Sequence, residues 1–181
     1  MNIQIQIARV LPWKREILHA TQHAGLYLED PFRVAALGLR ESGFGYAPGY
    51  HPKGTHIGWG DDPDGPAGPR EPYAFGFFQF DRRYWGDWIA SDEAETVQGQ
   101  ANAACRLLSD NRRWFRKAIS DTYVLERATY AGYNASRRRV LRVTLEGGDP
   151  DAVTSHKNYS RWIFDKADEL RQAAPLLFSG A

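Results

Sequence analysis

A chain of 181 residues falls within the usual size of one domain and is long enough to bury a core without disulfides or a structural metal. Its formal net charge of +1 gives no overall attraction to nucleic acid or to an anionic membrane, and its hydrophobic content of 43% is ordinary for a globular protein. The single cysteine, Cys105, excludes an intramolecular disulfide and favours synthesis in a reducing compartment.

The N-terminal residues show neither a targeting pattern nor a membrane span. Residues 1–10 alternate polar and apolar side chains, without the charged start and apolar block of a secretory signal. No apolar run along the chain approaches the length of a transmembrane helix. Apolar side chains recur at helical spacing over residues 12–27, which predicts the first helix there.

The second predicted helix ends in a carboxylate. Asp30 followed by Pro31 is typical of a helix start, and Gly43 of a helix end, so this helix covers residues 31–41. At its end, apolar surroundings and the negative end of the helix dipole both favour the protonated form of Glu41. A carboxylic acid that keeps its proton near neutral pH can act as a general acid. The alternative is that Glu41 points to water at a frayed helix end.

A long segment rich in glycine and proline follows Glu41. From Gly43 to Pro72 the density of these two residues is expected to exclude a helix or a regular strand. Loops of this length in compact domains are usually functional or disordered. Aromatic rings that can stack on sugar faces accompany carboxylates that can bind hydroxyl groups, which is typical of a sugar site; these residues are Tyr46, Tyr50, His51, His56, Trp59, Asp61, Asp62 and Asp64.

An apolar run from Tyr73 to Asp81 contains one amide, Gln79, and ends in one acid. A buried glutamine must be hydrogen-bonded, so Gln79 is either a structural tie or a substrate contact. We expect a short sheet or extended hairpin near residues 56–80.

The rest of the chain is predicted to be helical. Asp92 and Glu95 resemble an N-terminal capping pair, followed by an apolar helical face that includes Cys105 as a small core residue. Further helices are predicted near 111–120, 122–134 and 154–173, with a break at residues 147–150. Trp85 and Trp88 are interpreted as core or rim residues.

Three other groups of residues are further candidate sites. His19 and His23 are spaced i, i+4 on one helix but lack an acidic partner at metal-protease spacing, so we interpret them as structural or solvent-facing and expect no metal site. Arg137, Arg138, Arg139 and Arg142 could contact nucleic acid or an anionic wall polymer, although a solvated helix face is the simpler interpretation. Ser42 lies beside Glu41, but no nucleophile motif surrounds it.

Five short elements, taken in order, resemble goose-type lysozyme and its wider relatives, the soluble lytic transglycosylases and phage lysins. They span about residues 30–173, and the resemblance rests on their order and spacing; the elements are Arg40-Glu41-Ser42, Gly58-Trp59-Gly60-Asp61, Phe75 to Asp81, Ala131 to Ser136, and Asn158-Tyr159. The chain departs from the family pattern at Gly132, at Ser136 and in a longer insertion from Asp62 to Pro72.

The resemblance implies a mainly α, lysozyme-like α+β fold in a single domain over residues 1–181, with residues 1–29 as an N-terminal helical extension. It implies that Glu41 is the general acid, and that Asp61 and Asp81 hold or activate the attacking water. Because of the insertion, Asp62 and Asp64 remain alternatives to Asp61. Substrate contacts are implied for Trp59, Gln79, Tyr133, Asn134 and Tyr159. From the residues alone, Tyr133 and Asn134 could pack under the cleft, and Tyr159 could be a core aromatic.

The function implied is cleavage of the β-1,4 bond between N-acetylmuramic acid and N-acetylglucosamine in peptidoglycan, by inverting hydrolysis and without a cofactor. The alternatives are a lytic transglycosylase that leaves a 1,6-anhydro end, a chitinase on the same fold, and a non-catalytic wall-binding component of a phage particle. We expect a monomer that binds neither nucleic acid nor membrane. Without a signal peptide, it would reach the wall by release or injection.

Overall fold

The computed structural model describes residues 2–46, 50–52, 58–60 and 74–179. This part of the chain is mainly helical, with one small antiparallel sheet. The α-helices are α1 (Ile3–Val10), α2 (Lys14–His23), α3 (Pro31–Glu41), α4 (Arg82–Ile89), α5 (Val97–Phe115), α6 (Thr122–Asn134), α7 (Arg137–Leu145) and α8 (Tyr159–Ala173). The strands are β1 (Tyr50–Pro52), β2 (Gly58–Gly60), β3 (Ala74–Phe75) and β4 (Phe80–Asp81).

The N-terminal helices differ from the single helix predicted over residues 12–27. Helix α1 already covers residues 3–10, a short 3-10 helix follows at Leu11–Trp13, and α2 ends at His23. Proline at position 12 explains the interruption, because it has no N–H to donate into a continuous helix. Val10 and Ile17 are fully buried and belong to the same core as α3, α5 and α8.

The start of α3 agrees with the sequence prediction. The side chain of Asp30 accepts a hydrogen bond from the backbone N–H of Phe32 at 3.0 Å, and Pro31 occupies the first helical position. After Glu41 the chain turns back through Gly43 and Phe44, both with positive φ. The Phe44 ring then lies against Gly38, where an added Cβ would be only 2.6 Å from the ring, so only a glycine allows this return.

The capping pair predicted at Asp92 and Glu95 is wrong. The residues around it form turns, and Thr96 caps α5 by accepting a hydrogen bond from the N–H of Gly99 at 2.9 Å. The separate helix predicted near 111–120 is wrong as well, because α5 runs unbroken from Val97 to Phe115. This helix carries Cys105 fully buried, as expected for a small core residue.

The last predicted helix begins later than expected. The prediction of 154–173 is corrected to 159–173, preceded by 3-10 turns at Pro150–Val153 and Ser155–Lys157. His156 and Lys157 both have positive φ, near +57° and +53°, which no α-helix accommodates. Helix α6 matches its predicted bounds of 122–134.

The sheet confirms the expectation of a short sheet or extended hairpin near residues 56–80, and it extends to β1. The expectation that residues 43–72 hold no regular strand is wrong, because β1 and β2 lie within that segment. The strand order of the sheet is β1-β2-β3-β4, with Trp59 opposite Phe75 and Ala74 opposite Asp81. Beneath it, aromatic side chains join the sheet to the helical core: Phe44, Phe77, Phe78 and Phe80 are almost fully buried. Trp85 and Trp88 of α4 are partly buried against Phe80, in agreement with their interpretation as core or rim residues.

None of the helices in the described residues has the length and apolar character needed to cross a membrane.

Candidate active site

A cleft of about 690 Å³ opens where the end of α3, the sheet, α4 and the end of α6 meet. Its lining includes five of the site residues predicted from the sequence, which come from separate parts of the chain: Glu41, Gln79, Asp81, Tyr133 and Asn134. The fold therefore brings together one candidate general acid, a second carboxylate and several polar side chains. Their individual hydrogen bonds determine which of them is free to act on a ligand.

Glu41 is the last residue of α3, and its side chain is partly buried at the cleft. Burial raises its pKa from 4.5 to about 7, because desolvation disfavours the charged carboxylate. The expectation of a raised pKa is confirmed. Near neutral pH a substantial fraction of Glu41 carries a proton, so the group can donate one to a bound molecule.

The hydroxyl of Tyr159 donates a hydrogen bond to Oε1 of Glu41. Tyr159 is the first residue of α8 and is only 1% exposed, so of its two sequence-based interpretations the buried one describes its place. The hydrogen bond favours the ionised form of Glu41 and lowers its pKa, but this effect is smaller than that of burial. Tyr159 thus orients the carboxyl group rather than lining the cleft.

Arg40 places a positive charge behind the same pair. Its guanidinium lies 5.1 Å from the ring centroid of Trp162 and 5.7 Å from that of Tyr159, and it donates to Oδ1 of Asn158 at 3.3 Å. This charge also lowers the pKa of Glu41, again less than burial raises it. The stacking holds Arg40 against α8, away from a direct ion pair with Glu41.

A buried carboxylate fixes the start of α8. Asp151 is fully buried and accepts hydrogen bonds from the backbone N–H groups of Ser160 and Arg161, at 2.8 and 3.0 Å. It also accepts from Nη2 of Arg127 on α6 at 2.7 Å. A negative charge at a helix N-terminus is stabilising, and here it also sets where Tyr159 stands.

The second carboxylate of the cleft, Asp81, is engaged with Arg83. Asp81 caps α4 by accepting from the N–H of Arg83 at 2.8 Å, and both of its side-chain oxygens accept from the Arg83 guanidinium at 2.5–3.1 Å. Partial burial acts to raise its pKa, but the hydrogen bonds from Arg83 outweigh burial and hold the pKa of Asp81 below its ordinary value. Asp81 is therefore ionised at neutral pH.

A tight turn over residues 76–79 supports the cleft floor. Gln79 has an unusual positive φ of 52° for a residue with a side chain, and its Nε2 donates to the carbonyl of Gly76 at 2.7 Å. This bond makes the amide a structural tie, one of the two roles considered for it. Ser42 donates from Oγ to the carbonyl of Phe77 at 2.8 Å, so its hydroxyl ties α3 to the same turn.

Gln100, which was not predicted from the sequence, holds the turn over residues 76–79 through its side-chain amide. Its Oε1 accepts from the N–H of Phe77 at 2.7 Å, and its Nε2 donates to the carbonyl of Ala94 at 2.9 Å. An added Cβ at Gly76 would lie 2.2 Å from the Gln100 amide, so this position requires glycine. The sequence feature that could have identified Gln100 is the position of a glutamine on the apolar face of a predicted helix.

Tyr133 and Asn134 line the cleft, and the Tyr133 hydroxyl and the Asn134 side-chain oxygen already form hydrogen bonds within the protein. The hydroxyl of Tyr133 donates to the carbonyl of Phe78 at 2.9 Å. Oδ1 of Asn134 accepts from the N–H and the hydroxyl of Ser155, at 2.8 and 3.1 Å. These bonds connect α6 to the turn and to the segment before α8.

Tyr84 of α4 also lines the cleft and was not among the site residues predicted from the sequence. Its side chain is 80% exposed although it borders the cleft. The signal was present in the helical pattern, because Trp85, Trp88 and Ile89 turn toward the core and place Tyr84 at the edge of that face, where it is exposed. An exposed aromatic ring at a cleft rim is suited to stacking on a sugar.

Part of the predicted site lies outside what the structure describes. Asp61, Asp62 and Asp64 belong to the residues that are not described, and Trp59 is described only through the pairing of β2 with its neighbours. Their relation to Glu41 stays a prediction.

The two histidines of the predicted N-terminal helix do not line the cleft. His19 and His23 are exposed, with ring centroids 4.8 Å apart. The described part of the chain contains no group of three or more histidine, cysteine or acidic side chains arranged to hold a metal ion.

Compared with known proteins, the chain matches no protein-family model and no curated sequence.

Proposed function

We propose that the protein is a lysozyme-like glycosidase that cleaves the β-1,4 bond between N-acetylmuramic acid and N-acetylglucosamine in peptidoglycan. The observation that carries the proposal is Glu41: a carboxyl group at a cleft wall whose pKa is raised to about 7 and which a buried tyrosine holds in place. The choice of glycan follows the sequence resemblance to goose-type lysozyme.

In the proposed reaction, Glu41 gives its proton to the glycosidic oxygen as the bond to the leaving sugar breaks. The group needs to be protonated before the reaction and ionised after it, and a pKa near the working pH allows both states. The hydrogen bond from Tyr159 supports the ionised state that follows transfer. Burial therefore favours the protonated form of Glu41 before the transfer, and the hydrogen bond from Tyr159 favours the ionised form after it.

Hydrolysis with inversion also needs a carboxylate that activates water on the other face of the sugar. Asp81 is a candidate because it lines the same cleft and is ionised. Asp61 is the other candidate from the resemblance. In inverting enzymes the two carboxyl groups stand about 6.5–9.5 Å apart, which leaves room for the water.

A lytic transglycosylase is the second candidate function, and one observation favours it. Both side-chain oxygens of Asp81 already accept hydrogen bonds from Arg83, which reduces the ability of this carboxylate to deprotonate water. Without an activated water, the C6 hydroxyl of the muramic acid residue attacks its own anomeric carbon as the bond to the leaving sugar breaks, and its proton passes to the Glu41 carboxylate that proton donation has left ionised. The product then carries a 1,6-anhydro end instead of a reducing end.

Mass spectrometry of purified peptidoglycan digested with the protein tests these functions together. Reducing muramic acid ends indicate hydrolysis, and products lighter by one water indicate transglycosylation. Chitin oligomers in a parallel digest test the chitinase alternative. If the folded protein cleaves neither substrate, the glycosidase proposal is wrong.

A further inference from the structure

Helix α7 carries three arginines that have no partner in the described residues. Arg138, Arg139 and Arg142 are exposed, and none forms an ion pair or a side-chain hydrogen bond within the part of the chain that the structure describes. Residues 138 and 142 are one turn apart, so their side chains point the same way. We refer to these three residues as the α7 arginine face.

Two of these arginines lie where the helix itself disfavours them. Ser136 is the N-cap of α7, which makes Arg138 and Arg139 the second and third helical residues. The N-terminus of a helix carries partial positive charge, so cations there are destabilising. The third position after a serine cap is also where a glutamate would complete a capping box, and here Ser136 makes no side-chain capping bond. Helix stability therefore does not explain these arginines.

The acids at the neighbouring segment do not neutralise them. The 3-10 turn at Pro150–Val153 packs on α7, and its cap, Asp149, forms ion pairs with Arg127 and Arg161. The buried Asp151 is paired with Arg127 as well. Although the whole chain carries a net charge of only +1, this face is locally positive.

The α7 arginine face begins at the wall of the cleft. Asn134, Ala135 and Ser136 line the cleft, and α7 starts at the next residue. Its 9 residues extend over roughly 13 Å at 1.5 Å per residue. A glycan bound in the cleft with side branches would therefore have a positive surface beside it.

We infer that the α7 arginine face binds the carboxylates of acidic peptide branches on a glycan held in the cleft. The inference rests on the proposed function, in which the substrate is a peptide-bearing glycan. Guanidinium groups pair with carboxylates through parallel hydrogen bonds, which suits short acidic peptides. Because exposed charges are screened beyond about 10 Å at 0.1 M salt, the face acts on branches that reach it rather than on distant polymer.

Binding is measured with the Glu41→Gln protein, so that cleavage does not consume the ligand. The ligands are insoluble peptidoglycan, the same material stripped of peptides by an amidase, and chitin. Adding Arg138→Gln, Arg139→Gln and Arg142→Gln should weaken binding to intact peptidoglycan roughly tenfold at low salt, as expected for three exposed ion pairs. Binding to the stripped material and to chitin should not change.

A matched control removes three positive charges elsewhere. Arg113, Arg116 and Lys117 lie at and just after the end of α5, do not line the cleft, and are exposed. Changing all three to glutamine alters the net charge by the same amount. This control should bind all three ligands as the parent does, which separates a local surface from a general charge effect.

The melting temperature distinguishes a binding role from a structural one. Arg139→Glu places an acid at the third helical position after Ser136, so it should raise the melting temperature. The same change should weaken binding to intact peptidoglycan. A lowered melting temperature with unchanged binding would mean that the arginine serves the fold, and the inference would be wrong.

Other outcomes also contradict the inference. Equal losses on intact and stripped material mean that the face contacts the sugar chain, which both ligands share, and not the peptides. Arginine-dependent binding to duplex DNA that is tighter than binding to peptidoglycan would identify a nucleic-acid surface instead.

One further outcome separates the inference from the proposed function. If the wild-type protein cleaves no glycan but its binding to peptidoglycan still depends on the α7 arginines, the proposed reaction is wrong and the binding surface is supported.

Discussion

The hydroxyl of Tyr159 donates a hydrogen bond to the carboxyl group of Glu41, and 118 positions separate the two residues in the chain. One is the last residue of α3 and the other the first residue of α8, so the contact joins two helix ends. The proton affinity of Glu41 consequently depends on the packing of α3 and α8 as well as on its own helix.

Glu41→Gln should lower the glycan cleavage rate by about 10²–10⁴-fold, the usual contribution of a positioned proton donor. The amide keeps the shape of the side chain and can still accept from Tyr159, so the fold should be unchanged. The measurement is the initial rate of release of soluble fragments from peptidoglycan, with circular dichroism as the folding control. Near-normal activity in a folded variant would show that another group is the acid.

The same substitution should stabilise the protein at neutral and alkaline pH. Because burial raises the pKa of Glu41 from 4.5 to about 7, the folded state binds more protons than the unfolded state between these values. The free energy of unfolding of the wild type therefore falls as pH rises from 4.5 to 7. Glu41→Gln removes this loss and should gain about 1–3 kcal/mol above pH 7, less than the full shift implies because the side chain is partly exposed.

Urea unfolding of both proteins at pH 4 and pH 8 measures this difference. Little difference between the two proteins is expected at pH 4, where Glu41 is protonated in both states. An equal gain at both pH values would indicate a packing effect unrelated to the proton.

Tyr159→Phe should move the alkaline limb of the pH–rate profile to higher pH. In the wild type, activity should fall above about pH 7, where Glu41 loses its proton. Loss of the Tyr159 hydroxyl removes a hydrogen bond that favours the ionised carboxyl group, so the pKa of Glu41 rises further. Profiles of kcat/KM between pH 4 and pH 9 measure the shift.

Tyr133→Phe is the matched control for that experiment. It also removes one cleft hydroxyl, but this hydroxyl donates to the carbonyl of Phe78 and makes no hydrogen bond to Glu41. Its alkaline limb should stay in place. A shift of equal size in both variants would assign the effect to a general loosening of the cleft.

Asp81→Asn should reduce hydrolysis about 10²-fold if this carboxylate activates the water. Asparagine still caps α4, so helix stability should be nearly retained. Arg83→Gln is the paired variant: it keeps the carboxylate but removes the ion pair that lowers the pKa of Asp81, so the acidic limb of the pH–rate profile should move to higher pH.

Full activity of Asp81→Asn would transfer the role to Asp61. The double variant Asp61→Asn/Asp81→Asn should then lose hydrolysis or shift the products toward anhydro ends. If it too is fully active, Asp62 and Asp64 are the remaining candidates.

Tyr84→Ala should raise KM several-fold and leave kcat almost unchanged. Stacking of an aromatic ring is worth about 0.5–1.5 kcal/mol beyond its area, or roughly 2–12-fold in affinity. Tyr123 of α6 provides a control of similar kind, since it is 62% exposed and does not line the cleft. A change in kcat alone for Tyr84→Ala would argue that the ring acts on the chemical step.

The sequence predicted best where one local signal decides the structure. The start of α3 at Asp30 and Pro31 is an example, because a cap and a proline fix a helix end within three residues. The raised pKa of Glu41 followed from an acid at the end of an apolar helix. Asp92 and Glu95 failed because Thr96, four residues into the same stretch, captures the N–H of Gly99 instead.

The partners of Glu41 and Asp81 could not be derived in the same way. Whether Tyr159 contacts Glu41 depends on how α3 and α8 pack, and no local pattern contains that information. For Asp81 the determining neighbour is Arg83, two residues away, yet nothing in the sequence separates a water-holding acid from a capping acid at the start of α4.

The hydrogen bonds of Asp151 predict one result of a genetic screen for inactive variants of this protein. Through its bonds to Ser160 and Arg161 it holds the helix that presents Tyr159, and through Arg127 it holds the helix that ends in the cleft wall. Substitutions at Asp151 or Arg127 should therefore be recovered among inactive variants, although neither residue lines the cleft. A map of inactivating substitutions should therefore include the buried Asp151 as well as the residues that line the cleft.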